Sequence, residues 1–200
     1  MSIKERPTKT TRVPVQTIPD TVTPRATISP TAGKLLALTR IALGFIFAWA
    51  FVDKLFGLGY ATPEKGAWIN GGSPTKGFLG GVDHGPFQSL FNSWAGDTWA
   101  NWLFMLGLAG IGLALLTGVG LRIAAVSGSL MLLLMWAAEW PLAQHTATGE
   151  LTRSTNPLLD DHIIYALVLL TLAALYAGRY WGLGNRWERL NIVRRNRWLI

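Results

Sequence analysis

Not one of the 200 residues is cysteine. Disulfides, thiolate metal sites, thiol–disulfide relays and iron–sulfur clusters are excluded together. Charge is also scarce. Lys, Arg, Asp and Glu make up 14% of the chain, against roughly 25% in soluble domains. The first thirty residues hold no apolar core, so no cleaved signal peptide is read there. No Walker loop, dinucleotide fingerprint or zinc helix motif occurs, and no metal site is expected. The three histidines, His84, His145 and His162, do not offer matched ligands on facing helices, so no haem is expected.

Apolar residues supply half the chain. They gather in long runs, and that clustering decides the class. About twenty such residues at about 1.5 Å each cross a hydrocarbon core near 30 Å. Runs over about 35–58, 99–118, 121–141 and 160–183 predict four spans. The expected fold is all-α: an integral membrane four-helix bundle with a large extracytoplasmic loop between helices 1 and 2. Residues 34–184 form the transmembrane domain. Residues 1–33, rich in Thr and Pro, form a disordered basic tail, where Pro7, Pro14, Pro19, Pro24 and Pro30 oppose a continuous helix. Residues 185–200 form a second basic tail. The first span is expected to serve as an uncleaved anchor.

The net charge of +7 raises nucleic acid as a partner, but its placement argues for lipid. Six Lys or Arg precede the first apolar run and six lie from Arg179 onward. These basic ends fit the cytoplasmic side of a cell membrane, with both termini inside and both long loops outside. No nucleic-acid role is expected. Trp94, Trp99, Trp102, Trp136 and Trp140 suit an outer aromatic belt, and Trp181 and Trp187 an inner one. Small residues four apart predict close helix packing: Gly110, Ala114 and Gly118; Ala124 and Gly128; Ala173 and Ala177.

The linker between the first two spans carries helix-start signals at Thr62-Pro63-Glu64 and Ser73-Pro74, with Gly71-Gly72 as a stop. Its Trp68, Phe78, Phe87, Phe91 and Trp94 are too apolar for a solvated loop. The segment is expected to fold over the bundle mouth or lie in the headgroup layer.

Ionisable groups at membrane depth need partners, water or a function. Arg40 and Arg179 lie near cytoplasmic ends and can snorkel. Asp53 and Lys54 close the first span, Glu139 the third, and Asp160, Asp161 and His162 open the fourth. Antiparallel geometry brings these six to one depth under the outer loop. Such a set can bind an anion, move a proton or hold a polar ligand head. A plainer reading stands beside this one: Asp160 and Asp161 complement a helix dipole, and the others are interfacial charges.

Two stretches resemble the DoxX/DoxD family of small four-helix membrane proteins. One is RIALGFIFAWAFVDKLFG from Arg40 to Gly57, continued by WINGGSPTKGFL from Trp68. The other is NPLLDDHIIY from Asn156. The similarity spans about Leu35 to Leu183. It implies a quinone-associated redox membrane subunit, and its DoxD branch implies oxidation of thiosulfate or a related small reductant with quinone as acceptor. In that reading Asp53, Glu139, Asp160 and Asp161 are catalytic. Lys54, His162, Trp68, Asn70 and Arg40 bind substrate. Quinone is the cofactor, and a partner redox subunit or a homo-oligomer completes the assembly. The alternative is a non-catalytic structural or assembly subunit of a respiratory or oxidative-defence complex. A permease is disfavoured, because the second and third spans hold almost no polar side chains.

Overall fold

A computed structural model describes residues 28–152 and 154–200. The expectation of a disordered tail falls almost wholly outside them. The first helix, α1, runs Pro30–Phe56. It starts five residues before the first predicted span and takes in residues assigned to the tail. Pro30 opens this helix, where its missing N–H costs nothing. Ser29 caps it, its hydroxyl accepting from the Ala32 N–H at 3.2 Å. Gly57 ends it in the left-handed region at φ 66°.

Three further long helices follow: α4 Thr98–Thr117, α5 Leu121–Glu139 and α6 Asp161–Ala174. Between α1 and α4 lie two 3-10 turns, Glu64–Gly66 and Trp68–Asn70, and the short helices α2 Lys76–Gly80 and α3 Gln88–Trp94. Gly71 at φ 84° stops the second turn, as its sequence signal predicts. After α6 come a 3-10 turn at Ala177–Arg179, α7 Gly184–Trp187, α8 Asn191–Arg195 and a last turn at Arg197–Leu199. Among the described residues there is no strand, only an isolated bridge between His145 and Leu151. The chain is all-helical.

The long helices pack in sequence order: α1 along α4, α4 against α5, and α5 along α6. Gly118 and Gly120, at φ 75° and 64°, turn α4 into α5 within three residues, the tight hairpin that the sequence predicts. Leu43, Phe47, Met105, Ile111, Leu115 and Leu169 form the centre of the buried core. The outward faces are also apolar, with Phe45, Leu103, Leu106, Val126, Leu130 and Leu167 all exposed. Three helices, α1, α4 and α5, are long and apolar enough to cross a membrane. The fourth differs from its prediction. It ends at Ala174, not near 183, and its 14 residues reach only about 21 Å.

The reason lies in the turn after α6. Tyr176 takes φ 52°, and the chain folds back under the α4–α5 hairpin, where the Leu183 N–H donates to the Thr117 carbonyl at 2.8 Å. Arg40 holds that turn. The side chain is 0% exposed, so it does not snorkel. Its Nη1 donates to the carbonyls of Leu115 and Leu116, and its Nη2 to those of Tyr180 and Trp181.

The linker packs against α4. Asn101 on α4 organises it. Its Oδ1 accepts from the Ser73 hydroxyl, the Thr75 N–H and the Thr75 hydroxyl, and its Nδ2 donates to the Gly96 carbonyl. Below the linker, Val82, Phe91 and Ala138 bury a second small core.

Candidate functional site

The six ionisable residues expected at one mouth separate into three groups. Asp53 is 1% exposed. Its carboxylate accepts from the Tyr60 N–H at 3.3 Å and the Ala61 N–H at 3.0 Å. It therefore ties down the chain leaving α1, a structural task that the catalytic expectation did not foresee. Asp53→Asn keeps the shape but exchanges a charge-assisted acceptor for a neutral one. It is expected to cost about 1–2 kcal/mol, measured as a lower thermal midpoint of the purified protein in detergent. An unchanged midpoint would return Asp53 to the list of proton carriers.

Lys54 points elsewhere. Its Nζ lies 6.0 Å from the Phe104 ring centre. It lines a cavity of about 340 Å³ between α4 and α5, walled by Phe78, Trp94, Trp99, Phe104 and Met131. Among the described residues Lys54 has no hydrogen bond and no ion pair with an acid.

Glu139, Asp160, Asp161 and His162 do converge. Asp160 caps α6, its Oδ1 accepting from the Ile163 N–H at 3.1 Å. Its Oδ2 lies 2.9 Å from His162 Nδ1. The same nitrogen is 3.6 Å from Asp161 and 3.8 Å from Glu139 Oε2. Glu139 comes from the last position of α5, so antiparallel packing of α5 and α6 makes this meeting. His162 is 7% exposed and sits behind the acids. In front of them opens a polar cleft of about 550 Å³, lined also by Asp83, His84 and Ser154.

The cleft also holds residues whose part was not anticipated. His84 Nε2 donates to the Glu139 carbonyl at 2.8 Å, and its Nδ1 pairs with Asp83. An adjacent Asp-His pair in a Gly-rich linker was the only signal available in the sequence.

The remaining expected residues stand apart. Trp68 packs edge-on against Trp102, with ring centres 4.7 Å apart. Asn70 donates to the Glu64 carbonyl within the linker. Arg40 lies 13 helical positions from Asp53, about 20 Å along α1, at the other end of the protein. None of Arg40, Asp53, Lys54, Trp68 or Asn70 lines the cleft. The single shared pocket is thus corrected to two cavities, a polar one lined by acids and His84 and an apolar one with a lysine. Phe78 borders both.

Comparison with protein-family models, with curated proteins and with solved structures finds no match to this chain.

Chemically the two cavities differ. The cleft concentrates negative charge: Asp83, Glu139, Asp160 and Asp161 line it, and among the described residues no Lys or Arg does. It suits protons and cations. The apolar cavity offers aromatic walls and one ammonium donor, which suits a flat ring bearing a carbonyl oxygen.

Proposed function

We propose that this chain is a quinone-associated redox subunit of the cell membrane. Its four long helices form a multi-pass bundle, with both termini cytoplasmic and the linker and the 140–160 loop outside. Basic residues at the two chain ends support that orientation. The quinone head enters between α4 and α5 and lies against Trp94, Trp99 and Phe104, where Lys54 donates to a ring carbonyl. A partner redox subunit completes the assembly and brings the electrons.

One observation carries this reading: Lys54 faces an aromatic-walled cavity that no acid lines among the described residues. An ammonium in such surroundings is costly without a polar ligand. The family resemblance of the Arg40–Gly57 and Asn156–Tyr165 stretches points the same way. The thiosulfate half of the resemblance gains less support, because the carboxylates of the cleft repel a small dianion. If quinone is reduced here, Glu139 and Asp160 stand across Phe78 as groups able to relay its protons.

The test is quinone binding by the full-length protein in nanodiscs. A soluble quinone analogue is expected to quench tryptophan fluorescence saturably. Lys54→Met is expected to weaken binding about tenfold or more, the worth of one charge-assisted hydrogen bond. Absence of saturable quenching in the wild type would leave the assembly-subunit reading in its place.

A further inference from the structure

The acid and histidine cluster does something that quinone binding does not require. We propose that Glu139, Asp160 and His162 together bind one divalent transition-metal ion, with the polar cleft as its entry. One nitrogen and two carboxylate oxygens from two helices form the donor set, all within 4.8 Å of one another. Metal–ligand bonds of about 2.0–2.2 Å place neighbouring donors about 3–3.5 Å apart. Here His162 Nδ1 lies 2.9 Å from Asp160 Oδ2 and 3.8 Å from Glu139 Oε2. The Glu139 side chain is 48% exposed and has room to swing toward the other two donors.

The residues are not explained by an ion pair alone. A protonated His162 balances one negative charge, yet Glu139, Asp160 and Asp161 all lie within 4 Å of its Nδ1. Asp160 and Asp161 also complement the N-terminus of α6. Glu139 has no such partner. It stands at the C-terminus of α5, where the helix dipole disfavours an acid and favours a cation. Its carboxylate accepts no hydrogen bond among the described residues.

His162 supplies the independent sign. Its imidazole is 7% exposed, and its Nδ1 is turned toward carboxylates that come from two different helices. Behind Glu139, the Asp83–His84 pair anchors the backbone carbonyl, the sort of outer support that fixes a ligand's position. One imidazole with two carboxylates selects Zn²⁺, Mn²⁺ or Fe²⁺ over Mg²⁺ and Ca²⁺, which prefer oxygen alone.

The experiment uses tag-free full-length protein in detergent, stripped by a chelator and titrated with Zn²⁺ against a chromophoric competitor. Mn²⁺ binding is followed in parallel by electron paramagnetic resonance. One ion per chain is expected. Glu139→Gln and His162→Gln should each weaken binding at least tenfold. Asp160→Asn should do the same while melting within a few degrees of wild type, because Asn caps a helix as well as Asp. Lys54→Met should bind metal as wild type does, which separates this proposal from the quinone reading. Lack of stoichiometric uptake overturns the proposal, as does uptake unchanged in Glu139→Gln, or displacement by equimolar Mg²⁺. Should His162→Gln fail to fold, Glu139→Gln decides, since that side chain is half exposed at a helix end.

Discussion

Arg40→Met is expected to lower the thermal midpoint of the full-length protein by roughly 10 °C or more. The guanidinium is fully buried and pairs with no carboxylate among the described residues. Four carbonyl oxygens accept from it instead: Leu115 and Leu116 at the end of α4, and Tyr180 and Trp181 in the turn beyond α6. The last carbonyls of a helix have no partner within it, and they carry its negative pole. Arg40 supplies both the donors and the charge. Two glycines make room for it. A Cβ on Gly118 would stand 3.3 Å from Arg40 Cζ, and one on Gly182 3.1 Å from its Nη2. Methionine fills similar volume but leaves the four oxygens without this donor. The cost is about 3–5 kcal/mol, typical of breaking one side of a buried charged network. In a chain of this size that corresponds to a midpoint shift on the order of 10 °C. Arg40→Lys should recover only part of it, because an ammonium cannot span both carbonyl pairs with a planar fork. A melt of Arg40→Met indistinguishable from wild type would mean that the turn after α6 is held by its glycine contacts instead.

The same clamp explains why the end of the fourth helix was not legible. Hydropathy continues through Leu175 and Leu183, so a period-based reading extends the helix. Nothing local reports that a residue 140 positions earlier needs the Tyr180 carbonyl. The start of α1 failed for a different reason. Proline reads as a breaker at Pro30, although Ser29 before it is a cap and the first helical position tolerates proline. The meeting of Glu139 with Asp160 and His162 was legible, because consecutive antiparallel helices bring the end of one beside the start of the next. The fate of Asp53 and Lys54 was not. Successive residues in a helix point about 100° apart, so two adjacent charges at one depth serve different surroundings. Asp53 faces the linker and Lys54 faces α4, a distinction set by how α1 rotates in the packed structure.

Gly112→Ala and Gly128→Ala are expected to part company, although each adds one methyl to a buried helical glycine. The four-residue pattern pointed to Gly110, Ala114 and Gly118 on α4, yet a Cβ on Gly110 would meet nothing within 4 Å. The close approach uses Gly112 instead, with Gly44 answering from α1. A Cβ at Gly112 would fall 2.8 Å from the Ala48 backbone nitrogen, and one at Gly44 2.9 Å from Leu115 Cβ. Backbone on a packed helix cannot step aside, so α1 and α4 must separate along their length. Overpacking of this kind costs about 1–3 kcal/mol. The upper end applies here, because the separation also loosens the contact that seats Arg40 under α4. At Gly128 the nearest atom to the new methyl is Leu169 Cδ1, at 2.7 Å. That atom ends a flexible side chain, and a rotamer change relieves the clash for about 1 kcal/mol or less. Melting both variants beside wild type checks the contrast. Equal midpoints would show that the α1–α4 interface yields as readily as a leucine rotamer, and that small residues there do not set the helix spacing.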